Sequence, residues 1–180
     1  MKLFTSFFKW SVDVHHLKDV KKSVIIQAPH TSNWDFILGI IAAKKIGLKF
    51  KFIIKDSWNK PIIGDLLNYL GAIFIDRSKS TGLTQNIAKE LKKIDVGHII
   101  FTPEGTRSNV TKWKSGFYHV AYNAQIPISV GYIDYKEKKI GIASVFYPTG
   151  EMSKDLEDVR RFYSKVNAKH PNNYHSDWAI

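Results

Sequence analysis

The sequence predicts an α/β domain in which a largely parallel or mixed central sheet is flanked by helices. Short apolar segments rich in valine, isoleucine and phenylalanine alternate with longer amphipathic segments along most of the 180 residues. This alternation is typical of sheets that carry helices on both faces. Because the length suits one domain and no linker or repeat interrupts the pattern, we expect residues 1–180 to form a single domain.

Six short segments are predicted as strands, namely residues 23–28, 50–54, 72–75, 98–102, 126–132 and 139–145. Five longer segments are predicted as helices, namely residues 34–45, 61–70, 84–93, 117–124 and 156–168. Pro61 suits the first turn of its helix, and Gly71 suits the position just beyond the end. The resulting order of elements is that of an α/β sheet with crossover helices.

The two ends of the chain receive separate predictions. Residues 1–14 place aromatic and aliphatic side chains at helical spacing between lysines, which predicts a helix that lies in a membrane interface or packs on the core. Residues 169–180 are rich in asparagine and histidine, and we expect them to form a loosely packed tail.

Composition limits the chemistry and the partners. The chain has no cysteine, which excludes disulfides, thiolate nucleophiles and cysteine-based zinc sites. Its net charge is +11, and the first 60 residues hold +7 of it, which suits phosphate groups, anionic lipid surfaces, acidic carrier proteins or nucleic acid. No stretch approaches the roughly 20 apolar residues that cross a bilayer, and no secretory signal is evident, so we expect a cytoplasmic protein.

A histidine follows the first predicted buried strand. Pro29 ends that strand, so His30 lies at the strand end, where ligands of α/β domains commonly bind. Ser32 and Asp35 match a capping box, which places Asp35 in the first turn of the next helix, within reach of His30. His30 is therefore a candidate general base with Asp35 as its partner. The alternative is that Asp35 only caps the helix and His30 is an ordinary loop histidine.

Two further polar clusters follow predicted strands. Arg77, next to Asp76, offers a planar fork of donors suited to phosphate, or else forms a plain surface ion pair. After the strand at 98–102 come Glu104, Gly105, Thr106, Arg107 and Ser108, with Lys114 nearby. This loop is either a turn closed by a salt bridge or an anion site built from flexible backbone, hydroxyls and a guanidinium. Three such clusters in one small domain favour a site.

These residues resemble the motifs of the lysophosphatidic acid acyltransferase family (1-acyl-sn-glycerol-3-phosphate or glycerolipid acyltransferases). Its HxxxxD motif corresponds to His30 and Asp35, its G-x-x-F-I-x-R segment to residues 71–77, and its F-P-E-G-T-R-S segment to residues 103–108, with Thr102 in place of the usual phenylalanine. A fourth apolar segment corresponds to residues 126–128. The resemblance covers about residues 24–133 and preserves the order of the motifs.

The resemblance implies acyl transfer from acyl-CoA or acyl-carrier protein to a lysophospholipid hydroxyl, with no cofactor. The seven histidines show no metal-ligand spacing, so we expect no metal. The resemblance also implies that His30 is the general base and that Asp35 orients it. The acceptor phosphate would bind Arg77, Glu104, Gly105, Thr106 and Arg107, and we expect support from Ser32, Ser108 and Lys114. The protein would associate peripherally with the inner face of an anionic membrane.

Some alternatives stay open at this point. The acceptor is 1-acylglycerol 3-phosphate or, with the same chemistry, a lyso-ornithine or other aminolipid or glycerol 3-phosphate. A basic nucleic-acid-binding module fits the charge, but the sequence has no recognition motif of that kind, so we expect no nucleic acid partner. Trp113, Phe117 and Tyr118 line a lipid groove or belong to the core.

Overall fold

The described residues form an eight-stranded mixed sheet. The computed structural model describes residues 3–5, 9–75, 82–93 and 95–180. The strands are β1 (Leu3–Thr5), β2 (Trp10–Asp13), β3 (Lys22–Gln27), β4 (Phe50–Lys55), β5 (Ala72–Ile75), β6 (Gly97–Phe101), β7 (Ile128–Asp134) and β8 (Lys139–Phe146). Their order across the sheet is β1-β2-β8-β7-β3-β6-β4-β5.

The five strands from β7 to β5 in this order are all parallel to one another. The carboxyl ends of β3, β4, β6 and β7 therefore lie along one edge of the sheet. At the other side, β8 is antiparallel to β7, and β2 is parallel to β8. The predicted fold class and the six predicted strands are confirmed, with ends shifted by at most two residues.

Helices cover both faces of the sheet, as predicted. They are α1 (Asn33–Lys45), α2 (Ile63–Tyr69), α3 (Leu83–Lys93), α4 (Gly116–Ala124), α5 (Met152–Asp155) and α6 (Glu157–Tyr163). Buried residues of α3, α4 and α6 form the largest core cluster with inward residues of β3, β6 and β7. Helices α1 and α2 pack on β4 and β5 in a separate cluster.

Two predicted helices differ from the structure. The helix expected over residues 156–168 is the pair α5 and α6, which meet at Leu156 and end at Tyr163. Helix α2 begins at Ile63 rather than Pro61, because Ile62 has a positive φ of 68° that no α-helix accommodates. Trp113, Phe117 and Tyr118 are each at most 2% exposed and belong to the core, so they do not line a groove.

The prediction of a helix over residues 1–14 is wrong for the residues that the structure describes. Leu3–Thr5 and Trp10–Asp13 are instead antiparallel strands, and Val12 pairs in register with Ile140 of β8. Trp10 and Val12 point into the core, so the apolar residues here obey the two-residue period of a strand. No helix in the described part of the chain combines the length and apolar character needed to cross a bilayer.

The prediction of a loosely packed tail over residues 169–180 is also wrong. Trp178 is 1% exposed and stacks on Trp113 with ring centroids 3.6 Å apart. The Trp113 amide donates to the Ala179 carbonyl, and the Ala179 amide donates to the Thr111 carbonyl, both at 2.8 Å. The tail is therefore bound to the segment that follows the Glu104 loop.

Candidate active site

His30 lies in the loop between β3 and α1, and a capping box shapes this loop. Ser32 is the N-cap, and its hydroxyl accepts from the Trp34 amide at 3.2 Å. In return, Asp35 Oδ2 accepts from the amides of Thr31 and Ser32, both at 2.8 Å. The predicted capping box is confirmed. It turns the Asp35 carboxylate back over the loop toward His30.

The same carboxylate contacts the imidazole. His30 Nδ1 lies 3.3 Å from Asp35 Oδ2, and the two side chains are 13% and 1% exposed. Burial by itself would raise the pKa of Asp35, but contacts with His30 and Tyr135 and the bond from the Ser32 amide hold it below its usual value. Asp35 is thus ionised at neutral pH, and it caps the helix and contacts His30 at the same time.

Tyr135 is a residue of the site that the sequence reasoning missed. Its hydroxyl donates to Asp35 Oδ1 at 2.6 Å, so both carboxylate oxygens have donors. Burial and the bond to Asp35 raise the pKa of Tyr135, which therefore stays a donor. Tyr135 directly follows β7, the parallel neighbour of β3. A polar residue at the end of a neighbouring strand is the sequence feature that could have identified it. The ring of Trp10 packs edge-on against it at 5.2 Å.

Glu104 holds the His30 loop from the other side. Its Oε1 accepts from the His30 amide at 2.9 Å, and its side chain is 6% exposed. Burial raises the pKa of Glu104 from 4.5 to about 7, although amide hydrogen bonds, including that of His30, partly oppose the shift. Its Oε2 has no hydrogen-bond partner among the described residues. Glu104 therefore supports the backbone of His30, whereas the family resemblance implied a place for it in the acceptor-phosphate site.

The part of the Glu104 loop that follows Gly105 is open to solvent. Gly105 adopts a φ of +66°, and a side chain there would meet Lys114, whose Cε would lie 3.0 Å from the added Cβ. Lys114 therefore crosses directly over Gly105. Thr106, Arg107 and Ser108 are exposed, and Thr106 Oγ1 accepts from the Ser108 amide at 3.3 Å. Arg77, predicted to join them, lies outside the described residues.

A cavity of about 350 Å³ joins these parts. Its polar lining includes His30, Asp35, Thr102 and Arg107. Its other walls are mostly apolar, from α1, β4 and α2, and include Phe36, Ile40, Phe52 and Leu67. This volume is in the range of small-molecule sites, which are commonly apolar with a few convergent polar groups. Among the described residues, no group of three or more histidines, aspartates or glutamates is placed to hold a metal ion.

The fold and site define an α/β domain with a histidine–aspartate pair beside an apolar cavity. The exposed loop around Arg107 and Lys114, called the basic loop, lies next to this pair. Consistent with this class, the profile of the Acyltransferase family matches residues 11–132. The chain belongs to the Acyltransferase family.

Two relatives support the assignment. An uncharacterized acyltransferase of Schizosaccharomyces pombe is 28% identical over 172 residues, covering 84% of this chain and 60% of that protein. A probable 1-acyl-sn-glycerol-3-phosphate acyltransferase of Mycoplasma pneumoniae is 30% identical over 135 residues, covering 66% of this chain and 49% of that protein. The chain thus spans about half to three fifths of the length of these relatives.

Proposed function

We propose that the protein transfers an acyl group from an acyl thioester to the hydroxyl of a lysophospholipid. The proposed acceptor is 1-acylglycerol 3-phosphate, and the product is phosphatidic acid. The observation that supports this most directly is the placement of His30 and Arg107 on the wall of one apolar cavity. A base, a phosphate ligand and room for a hydrocarbon chain then lie together, as this reaction requires.

In the proposed mechanism, His30 is the general base. Nδ1 faces Asp35, which leaves Nε2 for the acceptor hydroxyl. The hydroxyl oxygen attacks the thioester carbonyl as Nε2 takes its proton, and the C–O bond forms. The C–S bond then breaks, and the imidazolium returns the proton to the thiolate. A thioester is already activated, so a positioned alcohol and a base suffice, and the thioester is a co-substrate rather than a bound cofactor.

Asp35 suits the role of the orienting partner in this mechanism. It is ionised, buried and held by donors at both oxygens, so its negative charge favours the imidazolium that forms during transfer. Because the carboxylate is fixed by the capping box and Tyr135, the imidazole is positioned before substrate binds. Such preorganisation reduces the reorganisation needed at the moment of reaction.

The acceptor phosphate is proposed to bind the basic loop. Arg107 lies on the cavity and can bind a phosphate with two parallel hydrogen bonds, while Gly105, Thr106 and Lys114 lie beside it. Arg77 remains a predicted member of this site. The name of the Mycoplasma relative includes the same acceptor. The alternatives are lyso-ornithine or other aminolipids and glycerol 3-phosphate.

The donor is proposed to be acyl-CoA or acyl-carrier protein, since the net charge of +11 suits the phosphates of one and the acidic surface of the other. The cavity would hold the donor acyl chain against Phe36 and Phe52. We further propose a cytoplasmic protein that associates peripherally with an anionic membrane surface. Assays with acyl-CoA and with acyl-carrier protein, each at low and high salt, would distinguish the two donors.

The test of the base is His30→Ala, with His119→Ala as the matched control on the exposed surface of α4. Phosphatidic acid formation from lysophosphatidic acid, followed by mass spectrometry, should fall about 10²–10⁴-fold for His30→Ala. The control should keep wild-type activity, and both should unfold at the wild-type temperature. Retention of most activity by folded His30→Ala would refute the proposed base.

The test of the acceptor site is Arg107→Ala against Arg107→Lys. Loss of the bidentate ligand should raise the KM for a phosphate acceptor by at least about tenfold, and lysine should restore part of it. The KM for a neutral acceptor should change little. Equal effects on both acceptors would contradict a phosphate role and favour the aminolipid alternative.

A further inference from the structure

Helix α1 presents an apolar stripe to solvent. Trp34, Ile37 and Ile41 are 47%, 41% and 44% exposed, and their spacing of three and four residues places them on one side of the helix. Leu38 and Ala42 on the adjacent side are buried, and Leu38 packs against Trp10 and Ile133 of the sheet. Helix α1 is therefore apolar on two sides, although one of them faces water.

Helix α2 extends this surface. Ile62, Ile63, Leu66 and Tyr69 are 82%, 46%, 58% and 81% exposed, again at helical spacing. Trp58, in the short turn before α2, is 48% exposed. The exposed apolar side chains of α1, α2 and Trp58 are called the apolar band. Contiguous apolar surface of this kind is uncommon on proteins without a partner.

The apolar band is continuous with the cavity of the site. Ile37, Trp58 and Ile63 are exposed, and they also line the cavity that contains His30. At the far end, Lys44 Nζ lies 5.2 Å from the centre of the Tyr69 ring, which joins the ends of α1 and α2. A molecule that covered the apolar band would therefore reach the rim of the cavity.

Backbone strain occurs within the apolar band. Ile62 has φ of 68° and ψ of −54°, and the Ile63 amide donates to the Pro61 carbonyl at 2.8 Å across it. This is a γ-turn with positive φ, which is rare and strained, most of all for a β-branched residue. The turn holds the isoleucine side chain out in water, where it gains no packing. The turn places Ile62 at the N-cap of α2, where its carbonyl accepts from the Leu66 amide at 3.0 Å, but that role does not require a large apolar side chain in water.

Positive charge accompanies the apolar band along the chain. Residues 44–69 contain six lysines against two aspartates. All six lysines are exposed, among them Lys44 beside Tyr69 and Lys55 and Lys60 on either side of Trp58. Lysines near a membrane surface are attracted to anionic headgroups. An apolar surface flanked by exposed lysines therefore complements an anionic bilayer better than it complements a second copy of this basic chain.

We propose that the apolar band docks the protein on an anionic lipid bilayer, with Ile62 and Leu66 inserted below the headgroups and Lys44, Lys55 and Lys60 at headgroup level. The inference rests on the proposed function only in that a lipid substrate supplies the reason for docking. Docking in this orientation places the rim of the cavity against the lipid. A lipid chain then passes from the membrane toward His30 without exposure to water.

The test is co-sedimentation with vesicles of phosphatidylcholine and phosphatidylglycerol in a two-to-one ratio, at low and high salt. The variant Ile62→Gly/Leu66→Ser removes two band side chains that do not line the cavity. The matched control, Val96→Ser/Tyr147→Ser, removes two exposed apolar side chains of other surfaces, 47% and 67% exposed. The band variant should bind at least about tenfold more weakly, and the control should bind as wild type does.

The single variant Ile62→Gly tests whether weaker vesicle binding could come from misfolding. Glycine accepts a positive φ without strain, so this variant should unfold no lower than wild type and yet bind vesicles more weakly. Wild-type binding that is absent, or unchanged in the band variant, would overturn the proposal. A wild-type dimer in light scattering that becomes monomeric in the band variant, without vesicle binding, would overturn it in favour of a second copy.

Activity separates this inference from the proposed function. The band variant should keep wild-type turnover with a short-chain acceptor dissolved as monomers and lose it with acceptor presented in vesicles. His30→Ala should behave in the opposite way, binding vesicles normally without transferring acyl groups. A chain that docks through the apolar band but transfers no acyl group would refute the proposed function and leave the docking surface intact.

Discussion

Replacing Glu104 by glutamine removes a buried carboxyl that titrates near neutral pH. Burial raises the pKa of Glu104 from 4.5 to about 7, so between these values the folded protein holds a proton that the unfolded chain has released. The contribution of Glu104 to stability therefore falls as pH rises through this window. At 1.36 kcal/mol per pKa unit, the loss amounts to about 3 kcal/mol. Glutamine keeps the oxygen that accepts from the His30 amide but cannot ionise.

The assay is urea unfolding followed by tryptophan fluorescence at pH 4.5 and pH 8. His98 also titrates, since burial lowers its pKa from 6.5 to about 4, and its contribution to stability rises with pH. Because His98 is present in both proteins, the difference in stability between variant and wild type isolates Glu104. From pH 4.5 to pH 8, the free energy of unfolding of Glu104→Gln relative to wild type should rise by about 3 kcal/mol.

The control is Glu137→Gln at an exposed position. Its stability relative to wild type should be the same at pH 4.5 and pH 8. An equal difference at both pH values for Glu104→Gln would refute the reasoning. It would mean that the carboxyl is either solvated in the folded protein or held ionised by a partner.

Two further substitutions test the supports of the site. Tyr135→Phe removes the donor to Asp35 Oδ1 and should lower the free energy of unfolding in urea by about 1–3 kcal/mol. The control, Tyr147→Phe at an exposed position, should lower it by nothing measurable. Equal losses in the two variants would contradict the assigned hydrogen bond. Trp178→Ala should cost about 3–5 kcal/mol because the ring is buried and stacked on Trp113. A small loss would show that the tail is not part of the core.

Local pattern was sufficient for much of the fold. The strand β5 was predicted to the residue, and the capping box of Ser32 and Asp35 formed as expected, because both depend on neighbours within a few residues. Residues 1–14 were mispredicted because Leu3, Phe7 and Trp10 follow one another at intervals of four and three residues, which is helical spacing. The strand pairing that overrides this pattern is made with β8, far along the chain, where no local pattern reveals it. Trp178 was misjudged for the same reason, since its partner Trp113 is distant in sequence.

The sequence by itself determined which chemistry is available to this protein. The absence of cysteine excludes a thiolate nucleophile, and the spacing and capping of His30 and Asp35 are local properties that place the two side chains within reach of each other. Acyl transfer itself was predicted from the resemblance of the motifs to a known family. Only the tertiary structure decided what surrounds the pair. Parallel packing of β7, β3 and β6 brings Tyr135 to one side of the His30 loop and Glu104 to the other, and α1 and α2 enclose the apolar cavity. These contacts join residues about 70 to 100 positions apart, so no local pattern encodes them.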